Sequence, residues 1–228
     1  ARLREALLAG AVTKYNLPGA APPLGVPPGR RAVLVPGQVE DDAAVRRGGA
    51  RFRTNLDLLR AVRRENPDTF LLYKPHPDVE AGMRRGAVPP QEAARLADCV
   101  LSGVPIAPLY AQVDEVHCLS SLSGFEALLR GRRVVTHGRP FYAGWGLTED
   151  RDPPPRRGRR LSLDELVAGA LILHPRYRDP VTGLPCPPEV LLERLAAARP
   201  RRRARMPRRV AALIGASSRA MAEWWAAR

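Results

Sequence analysis

"FLLYKPHPDV", residues 70–79, begins with a short apolar run from Phe70 to Tyr73 and continues with a lysine and a histidine that stands between two prolines. An apolar run of this length, followed by proline, is typical of a buried strand. Pro75 and Pro77 restrict the backbone on both sides of His76. The stretch therefore predicts a buried strand that brings Lys74 and a rigidly held His76 to its carboxyl end.

Short apolar runs of the same kind recur along the chain, and patterns with helical spacing separate them. Strands are predicted at 32–36, 69–73, near 114–118 and at 132–138, and helices near 1–17, at 55–67, 89–99, 123–131 and 162–173, and near 187–198 and 208–227. Strands that alternate with helices are typical of parallel βαβ units. The sequence therefore predicts an α/β fold, a Rossmann-like parallel sheet with flanking helices.

Composition divides the chain into three predicted regions. Residues 1–30 form an N-terminal segment and a proline-rich linker, with five prolines between residues 18 and 30. Residues 31–198 form the Rossmann-like domain, and residues 199–228 form an arginine-rich C-terminal tail and helix. Because the chain does not begin with methionine, we expect it to be part of a longer protein.

The chain is strongly basic, with a formal net charge of +14. Only two of its 37 basic residues are lysines, Lys14 and Lys74, so the charge is almost entirely arginine. The densest run, at 198–209, is either a solvated tail or a site for anionic lipid headgroups. No apolar run reaches the roughly 18 residues that a membrane-spanning helix needs.

Several common functional motifs are absent from the sequence. It has no phosphate-binding P-loop, no G-x-G-x-x-G fingerprint and no G-x-S-x-G nucleophile elbow. The three cysteines are not spaced as zinc ligands and are expected to be reduced, mostly buried thiols of a cytoplasmic protein. No metal site is expected.

Polar or glycine-rich loops follow four of the predicted strands. In an open α/β sheet, ligands bind outside the carboxyl ends of the strands, so we expect these loops to converge at one edge. They are residues 37–43, 74–79, 120–126 and 136–150.

Two of these loops carry groups suited to an anion. Lys74 and His76 are candidate phosphate ligands, and the alternative is a rigid loop with a solvent-facing histidine. Ser120 and Ser121 precede a helix whose N-terminal N–H groups favour an anion, although either serine can simply cap that helix. Glu126 either accepts hydrogen bonds from ribose hydroxyls or complements the helix dipole.

The other two loops carry carboxylates and aromatic rings. Glu40, Asp41 and Asp42 follow Gln38, and such a run is either a solvated face or a set of groups that divide acid, base and nucleophile roles. Tyr142 and Trp145, with Phe141, are either packed in the core or form a lid or acceptor platform. For the aromatic loop, the residues themselves favour neither interpretation.

Four strings appear in order within residues 13–180: "LVPGQVEDDAAV", "YKPHPDV", "LSSLSGFEALLRG" and "GRPFYAGWGLTED". Together they resemble the capsule polysaccharide β-Kdo transferases of the KpsC type, and the chain is similar to the C-terminal part of such a protein. More distantly, the chain resembles bacterial CMP-sialic acid transferases, which share the His-Pro motif.

The resemblance implies a retaining glycosyltransferase with two Rossmann domains (GT-B), of which this chain supplies the nucleotide-sugar-binding half. It implies that His76 contacts the CMP phosphate with Ser120 and Ser121 opposite, and that Asp42 is the nucleophile, with Asp41 as its rival. Ala44 stands where the family often has serine, and Ser120 where it usually has threonine.

The resemblance also implies the substrates and location. Kdo would pass from CMP-Kdo to a lipid-linked Kdo acceptor in capsule linker biosynthesis, in either a 2→4 or a 2→7 linkage, and no cofactor would be tightly bound. The protein would be cytoplasmic, with peripheral contact to the anionic inner membrane and no nucleic acid partner. The alternatives are a basic non-catalytic module that binds polyanions or membranes, and another GT-B enzyme such as a sugar-nucleotide epimerase.

Overall fold

The computed structural model describes residues 1–16, 19–48 and 51–198. The chain divides into a compact unit of residues 1–193 and a second unit of residues 194–228. The helix predicted near 208–227 and the arginine-rich tail from residue 199 lie outside the described residues.

The first unit contains a six-stranded sheet in which all neighbouring strands are parallel. Its strands are β1 (Ala32–Pro36), β2 (Phe70–Lys74), β3 (Cys99–Val100), β4 (Glu115–Cys118), β5 (Arg133–Thr136) and β6 (Glu149–Asp150). The spatial order is β3-β2-β1-β4-β5-β6, the order of a Rossmann fold. The predicted fold class is therefore confirmed, and the strand order reverses between β1 and β4.

Helices connect these strands and follow them. They are α1 (Arg2–Ala9), α2 (Ala43–Arg47), α3 (Asn55–Glu65), α4 (Pro77–Glu80), α5 (Pro90–Leu96), a 3₁₀ helix (Ala107–Gln112), α6 (Leu122–Leu129), α7 (Leu163–Ala168), a π-helical turn (Gly169–Leu173) and α8 (Pro188–Ala198). A separate antiparallel pair consists of β7 (Tyr177–Arg178) and β8 (Pro185–Cys186).

The sequence patterns missed the shortest elements. Strands β3 and β6 have two residues each, and α2 and α4 have five and four, too few for a hydrophobic period to be visible. The helix predicted at 162–173 is α-helical only as far as Ala168 and continues as the π-helical turn.

Both faces of the sheet are covered, as the continuous apolar strands predict. Along β1, Leu34 points into a core that includes Phe125 of α6, whereas Val33 and Val35 point into a second core that includes Leu58 of α3. All five of these side chains are almost fully buried. The sheet is therefore the middle layer of a three-layer α/β sandwich.

The proline-rich segment packs against the domain, although the sequence predicted a linker without packed elements. Residues 19–30 contain no helix or strand, but Leu24 is buried in the same core as Leu34. Its backbone N–H donates to Gln112 Oε1 at 3.2 Å. Ala21 and Val26 pack against the same core, so the apolar side chains between the prolines hold the segment on the domain.

A chain of buried polar groups crosses β4 and β5. The Glu115 carboxylate is 2.6 Å from His117 Nε2, and His117 Nδ1 is 3.1 Å from His137 Nε2. The carboxylate accepts from Nε2–H of His117, and the Nδ1 of that ring shares the second hydrogen bond with His137 Nε2. Burial alone would raise the pKa of Glu115, but the hydrogen bond from His117 and the nearby guanidinium groups of Arg133 and Arg31 lower it.

His137 makes the stability of this network depend on pH below pH 6.5. Burial, assisted by the neighbouring His117, lowers its pKa to about 3. An unfolded histidine titrates near 6.5, so between pH 6.5 and 3 the unfolded chain binds a proton that the folded chain excludes. The stability contributed by neutral His137 is therefore complete above pH 6.5 and is lost as the pH falls towards 3.

We predict that His137→Gln, whose amide can donate to His117 or accept from it, flattens the pH dependence of the free energy of unfolding between pH 6.5 and 5. The slope should fall by up to about 1.4 kcal/mol per pH unit, the value for one proton. Urea unfolding at several pH values measures it. His174→Gln, at an exposed histidine, is the control and should keep the wild-type slope; equal slopes in all three proteins would contradict the prediction.

Candidate functional site

A cavity of about 390 Å³ opens where the strand order reverses, at the carboxyl ends of β1, β2 and β4. The loops after these strands line it, as the sequence predicts, and Phe141 is the contribution from the loop after β5. Thr13, Lys14 and Tyr15 of the N-terminal segment form a further wall. A volume of this size is typical of small-molecule sites.

The loops after β1 and β2 approach each other closely. The Gly37 N–H donates to Lys74 O at 2.7 Å, and a Cβ on Gly37 would lie 3.0 Å from the Tyr73 hydroxyl. The next residue, Gln38, is buried, and its Oε1 accepts from Ser120 N–H at 2.9 Å. Gln38 therefore joins the loops after β1 and β4 and is held there by the protein itself.

Lys74 and His76 both line the cavity. The Lys74 side chain is only 4% exposed, and its Nζ donates to Pro75 O at 3.2 Å. Burial lowers the pKa of its ammonium group. Among the described residues, no carboxylate forms an ion pair with Lys74, so its charge is available to an anion in the cavity.

His76 is held by contacts to both ring nitrogens. It caps α4, with Nδ1 accepting from Asp78 N–H at 3.2 Å, and this places the hydrogen of the neutral ring on Nε2. Nε2 lies 3.0 Å from the Tyr15 hydroxyl. Burial is the main cause that lowers the pKa of His76, so the ring is neutral at pH 7.

The helix after β4 begins at the cavity wall. Ser121 Oγ caps α6 by accepting from Ser123 N–H at 3.1 Å. Ser120 Oγ and Gln38 Nε2 are buried side-chain atoms without a hydrogen-bond partner among the described residues. Buried polar atoms usually have partners, so these two are candidates to bind water or ligand in the occupied site.

Glu126 lines the cavity but is already bonded on both oxygens. Oε1 accepts from Lys14 N–H at 2.8 Å, and Oε2 accepts from the Tyr110 hydroxyl at 3.0 Å. Burial raises the pKa of the carboxyl group. The sequence predicted that Glu126 either binds ribose hydroxyls or complements the helix dipole. It did not predict this contact with the N-terminal segment.

The three consecutive acidic residues have separate environments. Asp42 lines the cavity, caps α2 and accepts from Ala44 N–H at 2.8 Å. Asp41 is exposed and pairs with Arg84 at 3.1 Å. Glu40 accepts from Asn55 N–H at 2.7 Å at the start of α3. The structure therefore brings only Asp42 of the three to the cavity wall.

The aromatic loop does not form the lid or platform offered for Tyr142 and Trp145. Tyr142 is fully buried and donates to Ser121 O at 2.5 Å. Trp145 donates to Phe141 O at 2.8 Å and lies under Arg157, and it is not among the cavity residues. Of these rings only Phe141, which is 43% exposed, reaches the cavity.

The sequence interpretation missed Lys14 and Tyr15 as site residues because it assigned residues 1–30 to a segment outside the domain. A signal was present, since Lys14 is one of only two lysines. No cluster of three or more histidine, cysteine, aspartate or glutamate side chains in the described ranges is arranged to hold a metal ion. No helix of the described residues has the length and apolar character to cross a bilayer.

Residues 19–177 match the family described as "Capsule polysaccharide biosynthesis protein". The chain belongs to this family. It is 49% identical over 181 residues to capsule polysaccharide modification protein LipA of Neisseria meningitidis, a match that covers 79% of this chain and 26% of LipA. It is 45% identical to lipopolysaccharide-processing protein LpsZ of Rhizobium meliloti, over 77% of this chain and 40% of LpsZ.

Two solved structures are similar across 86% of this chain. They are the β-Kdo 2,7 transferase of Thermosulfurimonas dismutans KpsC, at 40% identity and a TM-score of 0.71, and the β-Kdo 2,4 transferase of the same protein, at 34% and 0.75. The matches cover 60% and 61% of those chains. The resemblance found in the sequence is thereby confirmed.

We predict that Gly124→Ala destabilises the fold by about 1–3 kcal/mol, the usual cost of overpacking. A Cβ there would lie 2.2 Å from the Tyr142 hydroxyl and 2.8 Å from Cys118 Sγ, both buried. Gly169→Ala is the matched control, because this helical glycine has no atom within 4 Å of an added Cβ. Its stability should be unchanged or slightly increased. Equal unfolding midpoints in urea for the two variants would contradict the prediction.

Proposed function

We propose that this chain is the nucleotide-binding half of a retaining β-Kdo transferase, which transfers Kdo from CMP-Kdo to a lipid-linked Kdo acceptor in capsule linker biosynthesis. Membership of the capsule biosynthesis family and similarity to two KpsC transferases support it. The observation that carries the proposal is the cavity at the strand-order reversal, because it brings Lys74, His76 and Asp42 together. The remainder of a GT-B enzyme would come from outside this chain.

The cytidylyl phosphate would bind between the loops after β2 and β4. Among the described residues Lys74 is a buried cation without an ion pair. His76 Nε2–H donates to the Tyr15 oxygen at 3.0 Å and would turn to a phosphate oxygen when the nucleotide binds. The N-terminus of α6, capped by Ser121, provides N–H groups and the positive end of the helix dipole. These groups suit a phosphate better than a neutral ligand.

Asp42 is suited to be the nucleophile of a double-displacement mechanism, one of the routes that give retention. Its carboxylate would attack the anomeric carbon as the bond from that carbon to the phosphate oxygen breaks, and CMP leaves with the electron pair. The acceptor hydroxyl then attacks the same carbon, loses its proton to a general base and releases the aspartate. Two inversions at one carbon give net retention.

The proposed cellular setting follows from the proposed substrates. A nucleotide-activated donor and a lipid-linked acceptor place the reaction at the cytoplasmic face of the inner membrane. The arginine-rich run at 198–209 would contact anionic headgroups there, which stays a prediction because nearly all of that run lies outside the described residues.

We predict that His76→Ala weakens CMP binding by about 1.5–3 kcal/mol, the range for a hydrogen bond to a charged group. Isothermal titration calorimetry with CMP, and with UDP and CDP for comparison, measures it. His174→Ala, at an exposed histidine, should bind CMP as the wild type does. Unchanged affinity in His76→Ala would reduce His76 to a packing residue, and tight RNA binding without CMP binding would favour the polyanion-binding alternative.

We predict that Asp42→Asn in the whole protein binds CMP nearly normally but loses Kdo transfer by several orders of magnitude. A nucleophile contributes mainly beyond the Michaelis complex, and asparagine can still cap α2. Transfer is measured with CMP-Kdo and a Kdo-terminated lipid. Asp41→Asn is the control, since Asp41 pairs with Arg84 away from the cavity. Transfer lost in Asp41→Asn but kept in Asp42→Asn would move the role to Asp41.

A further inference from the structure

Both lysines of this chain line the same cavity. Every other basic side chain among the 37 is arginine, so the chain uses lysine only at this place. Lysine differs from arginine in having a compact ammonium group that acts as a point charge with three donors. Two such groups on different walls of one cavity suit a phosphate approached from two sides.

The position of Lys14 is built by the surrounding chain. Thr13 N–H donates to Asn16 Oδ1 at 2.9 Å, and Asn16 N–H donates to Thr13 Oγ1 at 3.1 Å, so the two residues close a tight turn around Lys14. Asn16 has a φ of +47°, a conformation that asparagine tolerates better than most residues. The Arg130 guanidinium group also donates a hydrogen bond to Val12 O at 3.3 Å.

Glu126 is the anchor of this turn. Its buried carboxylate accepts the Lys14 backbone N–H at 2.8 Å, and the Tyr110 hydroxyl occupies its other oxygen at 3.0 Å. Each oxygen therefore accepts one hydrogen bond from within the protein, and the two bonds fix the orientation of the carboxylate. The geometry therefore suits Glu126 to hold the backbone of Lys14.

The neighbouring Tyr15 holds the histidine of the site. His76 Nε2–H donates to the Tyr15 oxygen at 3.0 Å, and the Tyr15 hydroxyl donates to Asp78 Oδ2 at 3.3 Å. The two rings meet edge to face, with centroids 5.5 Å apart. The N-terminal segment therefore supplies one cation to the cavity and also orients the ring of His76.

Lys14 Nζ lies 5.1 Å from the centroid of the Tyr15 ring. We propose that Lys14 is, with Lys74, a phosphate-binding residue of the nucleotide site, and that Glu126 and Tyr15 are positioning residues for Lys14 and His76. The ligand class is a nucleoside monophosphate or its sugar ester. This inference rests on the proposed function, and it extends the site beyond the sheet domain into residues 13–16.

The first test compares CMP with cytidine by calorimetry on the full chain. Lys14→Met removes the charge at similar length, and it should raise the Kd for CMP about tenfold or more while leaving that for cytidine unchanged. Arg95→Met is the matched control, because this residue is highly exposed on α5, is not among the cavity residues and loses the same charge. Its CMP affinity should stay within about twofold of wild type, as expected for a distant, screened charge.

The second test asks whether Glu126 acts through Lys14. Glu126→Gln should weaken CMP binding in the wild-type background and have no further effect in Lys14→Met, because residues that act as a unit are not additive. If Glu126 instead bound ribose, Glu126→Gln would weaken cytidine and CMP alike in both backgrounds.

A third measurement needs no substitution. Reductive methylation with ¹³C-formaldehyde labels the two lysines and the N-terminal amine, so the side-chain NMR signals of Lys14 and Lys74 can be followed separately. Both should shift on addition of CMP and neither on addition of cytidine. The inference would be overturned, while the proposed function stands, by either of two results. One is a Lys14 signal that does not shift on addition of CMP. The other is an equal loss of affinity for CMP and for cytidine in Lys14→Met. Wild-type protein that does not bind CMP would overturn both.

Discussion

The hydrogen bond from Ser120 N–H to Gln38 Oε1 joins the loops after β1 and β4, where the strand order of the sheet reverses. At that reversal the connecting chains leave towards opposite faces, so the loops diverge and leave a crevice. The Gln38 side chain closes the floor of this crevice, and Gly37 allows the loop after β2 to approach on the other side. The cavity, and every residue proposed to act in it, depends on this junction.

The electrostatics of the cavity differ from those of the rest of the chain. Elsewhere, many arginines pair with carboxylates at the surface, as Arg84 does with Asp41. In the cavity Lys74 is buried without an ion pair among the described residues, and burial lowers its pKa. An unpaired buried cation is costly, so a bound phosphate would stabilise the site as well as be held by it. The net charge of +14 therefore says less about function than the placement of two lysines.

Some candidate residues line the cavity and others pack elsewhere in the protein, and residue type did not indicate which would do which. Glu40, Asp41 and Asp42 are adjacent in sequence, but one binds the start of α3, one pairs with Arg84 and one lines the cavity. Tyr142 belongs to a clustered aromatic loop and is nevertheless a core residue, packed against Gly124. The direction of the backbone within a loop decides whether a side chain faces the cavity, the surface or the core, and this direction cannot be deduced from amino-acid composition.

The sequence by itself determined the α/β class, the strands and helices long enough to show a period, and the edge of the sheet where the cavity opens. These follow from local rules, because short apolar runs bury as strands and parallel connections place all carboxyl ends together. Only the tertiary structure decided that residues 13–16 belong to the site, that Glu126 holds Lys14 and that Tyr15 contacts His76. Glu126 lies 112 residues along the chain from Lys14, and a contact at that separation depends on how whole layers pack. Such packing cannot be predicted from a hydrophobic period or a motif within a short stretch of sequence.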